Sequence, residues 1–107
     1  MDQITPQQLA AWLADAKREK PVLLDVREPW EWQTARIDGS QHIPMREIPA
    51  RAGELDQGRE VVAICHHGGR SQQVAMFLEK HGFGKIYNLQ GGVDAWSRTV
   101  DPAVPTY

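Results

Sequence analysis

The stretch Val61-Val62-Ala63-Ile64-Cys65-His66-His67-Gly68-Gly69-Arg70-Ser71 decides the fold. Its first half is a short, β-branched, unbroken apolar run, the pattern of a strand covered on both faces, as in a parallel sheet. Two glycines then let the backbone curl. From Ser71 to His81 the residues Val74, Ala75 and Leu78 share one helical face, Phe77 widens it, and Gly82 closes it as a C-cap. Working outward, Val22-Leu23-Leu24-Asp25-Val26 is a second strand of the same kind, Ile86-Tyr87-Asn88-Leu89 a weaker third and His42-Ile43-Pro44 a very short fourth. Thr5-Pro6-Gln7-Gln8 is a helix start, with an N-cap, a first-turn proline and a capping-box glutamine. Leu9, Trp12, Leu13 and Ala16 continue it at helical spacing, with Lys17, Arg18 and Lys20 near its end to suit the dipole. Gly92 to Arg98 reads as a last short helix and Asp101 to Pro105 as an extended tail. Strands alternating with helices imply an α/β layer fold around a mainly parallel sheet. Ligands bind such sheets beyond the carboxyl ends of the strands. Asp25 and Arg27 close one strand there, and Cys65 closes another.

Composition bounds the rest. A chain of 107 residues is one domain, read here as a core over about 5–98 and a tail over 99–107. Hydrophobic residues make 41% and charged residues 24%, values that exclude disorder, collagen and coiled coil. A net charge of -2 gives no global pull toward nucleic acid or anionic membrane, so neither is expected as a partner. With Cys65 as the one cysteine, no internal disulfide can form, which suits a reducing compartment. No basic, apolar leader opens the sequence and no apolar run is long enough to span a bilayer. The expectation is a soluble cytoplasmic domain.

The loop after Cys65 carries the chemistry. Successive N–H groups on a glycine turn point inward, and the following helix adds its unpaired N–H groups and positive dipole end. A thiol at the centre of such a cradle is expected to be partly thiolate, with His66, His67 and Arg70 adding positive charge. That is an activated sulfur nucleophile in an anion pocket. The competing reading is an inert, buried strand cysteine. A metal site of Cys65, His66, His67 and His42 is disfavoured, because consecutive residues on a tight turn should splay apart rather than converge tetrahedrally. No metal and no cofactor is expected. Loop length selects among chemistries. Cysteine phosphatases place five residues between Cys and Arg; here four lie between Cys65 and Arg70. The tighter cradle suits one extra sulfur atom better than a tetrahedral phosphate.

Three blocks resemble the rhodanese family of single-domain sulfurtransferases. Asp25-Val26-Arg27-Glu28-Pro29-Trp30-Glu31-Trp32, with Ile37, Gly39 and Ile43-Pro44 beyond it, is similar to the family's DVRE-P-x-E-aromatic segment. Cys65 to Ser71 is similar to its C-x-x-G-x-R-S loop, and Asn88 to Trp96 to its L-x-G-G-x-x-A-W block. The resemblance implies a rhodanese-like α/β fold, with a sheet of four or five strands and helices on both faces. It also implies a sulfurtransferase in which Cys65 becomes a persulfide and His66, His67, Gly68, Gly69, Arg70 and Ser71 form the substrate-binding loop. Asp25 and Arg27 match a pair beside the pocket, read as a structural ion pair bracing the strand end. Arg36 is read as a solvated charge, Gly91 and Gly92 as serving a turn and a close approach, Trp96 as core, and Trp30 and Trp32 as core at least in part. Implied partners are a small-molecule donor (thiosulfate or a persulfide) and a thiol or cyanide acceptor, with a sulfur-carrier protein as one candidate.

The chain departs from the family at Ala35-Arg36, where Gly-His is frequent, and at Asp38, where Pro is frequent. It also carries His66-His67 where members favouring thiosulfate have Arg-Lys. Histidines supply less positive charge near neutrality, which points toward a persulfide donor. The ending from Val100 to Tyr107 is similar to rhodanese domains fused to ubiquitin-like-protein activating enzymes. A non-catalytic rhodanese-like binding module and a small cysteine phosphatase or arsenate reductase are the alternatives.

Overall fold

Five parallel strands form one sheet in the order β1-β5-β4-β2-β3. The strands are β1 (Asp2–Ile4), β2 (Val22–Asp25), β3 (Gln41–His42), β4 (Val61–Ile64) and β5 (Ile86–Leu89). The computed structural model describes all of residues 1–107. Side chains alternate across a strand, so β4 serves two cores. Val61, Ala63 and Cys65 pack with Val74, Ala75 and Leu78 of helix α4 (Gly69–Lys80) and Ile48 of helix α3 (Ile48–Arg51). Val62 and Ile64 face the other way, toward Leu9 and Trp12 of helix α1 (Pro6–Ala14) and Val93 and Trp96 of helix α5 (Gly92–Thr99). Helices therefore cover both faces, and the central strands are apolar throughout because neither face meets water. None of these helices is long and apolar enough to cross a membrane.

The sheet positions the site. β4 lies between β5 and β2, with Asp25 opposite Ile64 and Asn88 opposite Ala63. The chain runs outward from β2 to β3 at one edge, then returns to β4 and proceeds to β5 on the other side. The crevice at that reversal, beyond the carboxyl ends of β2 and β4, is where open α/β sheets bind ligands. Cys65 stands there.

Several boundaries differ from the sequence reading. The strand β1, with Ile4 its one apolar residue in three, carries no strand pattern of its own; the capping box at Thr5 that follows it is present as expected. α1 stops at Ala14, and Ala16 is exposed beyond it. The basic residues after it do not serve its dipole; Arg18 instead stacks over the Trp12 ring at 3.7 Å. α4 begins at Gly69, two residues before the expected start, because Gly68 adopts φ +108 and acts as its N-cap. Helix α2 (Pro29–Thr34) and α3 were not read from the sequence. Trp30, expected in part in the core, is 60% exposed, whereas Trp96 is buried. The tail is not simply extended: a turn at Asp101 buries Val104 and brings Tyr107 back over the carboxyl end of the sheet.

Candidate active site

Cys65 leaves the end of β4 with its Sγ facing the start of α4. The Gly68 N–H donates to Sγ at 3.0 Å. Ser71 Oγ lies 3.3 Å from Sγ and 2.5 Å from Asn88 Oδ1, and its single hydroxyl proton serves one acceptor at a time. Asn88 Nδ2 donates in turn to Gly68 O and to Gln3 Oε1. Gly68 is the N-cap of α4, so the sulfur sits at the helix end whose first-turn N–H groups have no intrahelical acceptors.

The loop's carbonyls are turned the opposite way. Val93 N–H donates to Cys65 O at 2.9 Å and Asp94 N–H to His66 O at 3.1 Å, so α5 binds the loop through its own N-terminus. This needs close approach. A Cβ on Gly92 would stand 2.3 Å from Cys65 O and 2.4 Å from His66 O, and Gly92 also has φ +61. Gly68 and Gly92 are thus the two positions where only glycine fits this loop without strain.

Beside the sulfur lies a chain of charged groups. Arg27 is fully buried and uses all five guanidinium N–H groups. Nε and one Nη2 N–H go to Asp25, the other Nη2 N–H to Ala35 O, and those of Nη1 to Glu31 O and to Tyr107 Oη at 2.7 Å. Burial disfavours the Arg27 charge, but Asp25 more than compensates, and its pKa is raised. Tyr107 Oη donates to Glu31 Oε2 at 2.8 Å. Glu31 also takes both arms of Arg70, at 2.7 and 2.9 Å, and the Glu28 N–H at 3.0 Å. Hydrogen bonding from Arg70 foremost, helped by Glu28 and Tyr107 against the opposing effect of burial, holds Glu31 down at about 2. The same bonds raise the pKa of Arg70. Burial pushes the Tyr107 phenol up to about 12.

Arg70 therefore differs from its expected part. It was read as free positive charge for the loop, but its guanidinium is neutralised by the buried Glu31 carboxylate. His66 has its pKa lowered, by burial first and His67 second, so it is neutral at pH 7. The histidines do not splay: their rings stack at 3.9 Å, and His66 stacks on Tyr107 at 4.1 Å on its other side. His66 and His67 gather with Asp94, their ligand atoms within 4.8 Å of one another, and not with Cys65 or His42. His42 is engaged with Arg27 O, and Asp94 is also paired with Arg98.

Of the residues singled out in the sequence, Cys65, His66, His67 and Gly68 form the loop and Gly69, Arg70 and Ser71 open α4 directly after it, with Asp25 on β2 and Arg27 just beyond β2. Three participants were missed. Asn88 left a signal, a polar residue inside an apolar strand that needs buried partners. Glu31 left one too, three residues after a Glu28-Pro29 helix start. Tyr107 left none, since only the tertiary turn at Asp101 delivers it.

The model of the rhodanese-like domain matches residues 5–99. A sulfurtransferase of Allochromatium vinosum is 36% identical over 104 residues, covering 97% of this chain and 95% of its own length. The probable adenylyltransferase/sulfurtransferase MoeZ of Mycobacterium tuberculosis is 39% identical over 106 residues, 97% of this chain; the chain spans only 26% of that relative's length. The crystal structure of a rhodanese-like domain protein from Staphylococcus aureus superposes with a TM-score of 0.86 at 27% identity, covering 100% of this chain and 99% of that one. The chain belongs to the rhodanese-like family, and relatives that it matches over nearly its whole length are named sulfurtransferases.

Proposed function

We propose that the protein is a sulfurtransferase that passes a sulfane sulfur through a Cys65 persulfide. The carrying observation is the Cys65 Sγ fixed by the Gly68 N–H at 3.0 Å at the mouth of α4, with Ser71 Oγ at 3.3 Å. The Cys65 thiolate attacks the outer sulfur of a donor R–S–S⁻. A new S–S bond forms on Cys65, the donor's S–S bond breaks, and R–S⁻ leaves with the electron pair. N–H groups of the loop and first helical turn stabilise the terminal anionic sulfur. A thiol or cyanide then attacks that sulfur, and the Cys65 thiolate leaves. Such double displacement gives ping-pong kinetics. The cradle, with four residues between Cys65 and Arg70, favours this chemistry over phosphoryl transfer.

The electrostatics favour a persulfide donor over thiosulfate. Thiosulfate is a dianion that leaves as sulfite and wants unpaired cations, yet Arg27 is paired with Asp25, Arg70 with Glu31, and the pKa of His66 is lowered by burial. A donor or acceptor carried on another protein fits the same logic. The setting is the reducing cytoplasm, where thiols and persulfides coexist.

The test is steady-state turnover with a low-molecular persulfide donor and a thiol acceptor. Cys65→Ser should lose turnover while keeping its circular dichroism spectrum; retained turnover sinks the mechanism. A second reading, a module that docks a partner without chemistry, draws on the 1% exposure of Cys65. Partner capture unaffected by loop substitutions, with no turnover on any donor, would favour it.

A further inference from the structure

Tyr107 holds a position that the sulfur chemistry above does not use. Its hydroxyl fills the fifth hydrogen-bonding position of the buried Arg27 and donates to Glu31. Its ring lies parallel to His66, the residue next to Cys65, at 4.1 Å and 12°. The Trp30 ring meets its edge at 5.6 Å. Tyr107 thus bridges the two walls of the crevice, α2 on one side and the cysteine loop on the other. In the same loop, one residue before His66, Cys65 is 1% exposed, and His66 Nε2 is buried.

We propose that Tyr107 is a specificity-determining residue of the Cys65 site, roofing the loop and masking one N–H of Arg27, so that small donors with no charge beyond the reacting sulfur reach Cys65 in preference to more highly anionic ones. The inference rests on the reading of Cys65 as the reacting sulfur. With the phenol seated, Arg27 offers no donor to an incoming anion. With it withdrawn, a guanidinium N–H faces the crevice and the His66 ring is uncovered.

The test is the rate of Cys65 alkylation by neutral iodoacetamide and by anionic iodoacetate, in wild-type protein, Tyr107→Phe and Tyr107→Ala. Cys65 is the one cysteine, so the total rate reports on it alone. Tyr107→Ala should react about tenfold faster with both reagents, the factor by which losing one hydrogen bond's worth of latching shifts an opening equilibrium. Tyr107→Phe keeps the ring stacked and frees the Arg27 N–H, so its iodoacetate-to-iodoacetamide ratio should rise about threefold or more. Wild-type rates in the alanine variant, or an unchanged ratio in the phenylalanine variant, would overturn the proposal. The phenylalanine variant carries the test if the alanine variant unfolds by circular dichroism. Alkylation reads access to the thiol whether or not sulfur moves, so failure here and failure of the transfer reaction are separate results.

Discussion

Ser71 and Glu31 show how much one side chain contributes to the environment of a single sulfur atom. Ser71 Oγ is the side-chain hydroxyl beside Sγ, held there by Asn88. Ser71→Ala should lower turnover about tenfold, the worth of one net hydrogen bond to an anionic centre, made when the hydroxyl proton turns from Asn88 Oδ1 to the sulfur. The check is kcat measured beside the melting curve, and unchanged kcat in a folded variant would contradict it. Glu31 acts on stability. Its carboxyl is held at about 2 against an ordinary value near 4.5. A depressed carboxylate pKa stabilises above the unfolded value, because there the unfolded chain gains no proton that the native one lacks. The contribution, up to about 3 kcal/mol, is lost as pH falls from about 4.5 toward about 2. Urea unfolding of wild-type and Glu31→Gln protein across that range should show the gap between them shrinking with acid. A constant gap would contradict the assignment. The sequence displayed Cys65 and its loop plainly, through residue types that suit one chemistry. It concealed that Arg70 is neutralised, because pairing with Glu31 spans 39 positions of chain and no local pattern records it.

At the scale of elements, the site is a contact between two helix starts. α4 begins within the cysteine loop, and α5 binds the loop's carbonyls from behind. Gly92 permits that contact. Gly92→Ala would place a Cβ 2.3 Å from Cys65 O, where real contacts do not fall under about 3 Å, at a φ of +61. It should cost more than about 2 kcal/mol and slow sulfur transfer as well, since relief requires α5 or the loop to move. Chemical denaturation with a parallel activity assay checks both; a variant of wild-type stability would contradict the geometry. The strands β2, β4 and β5 and the helices α1, α4 and α5 were legible because each is a strong periodic run. β1 and β3, of three and two residues, and the short helices α2 and α3 were partly or wholly illegible. Segments that brief are set by their neighbours in the sheet and by packing, not by their own pattern.

For the whole molecule, folding leaves 5729 Å² exposed, against about 17,500 Å² for an unfolded chain of this mass. Two cores on opposite faces of one sheet account for that burial. They make the carboxyl edge a rigid platform on which a loop, two helix ends and the returning tail converge. The α/β class followed from alternating patterns. The tail's place did not, because Tyr107 reaches Arg27 only across 80 positions of chain. The central claim is that Cys65 carries the transferred sulfur, and intact-protein mass spectrometry tests it directly. After incubation with a low-molecular persulfide, and separately with thiosulfate, the wild-type chain should gain one sulfur atom from the persulfide more readily than from thiosulfate. Cyanide should then remove it, and Cys65→Ser should gain none. A wild-type chain that gains no sulfur from either donor, or a Cys65→Ser chain that gains it equally, would contradict the account.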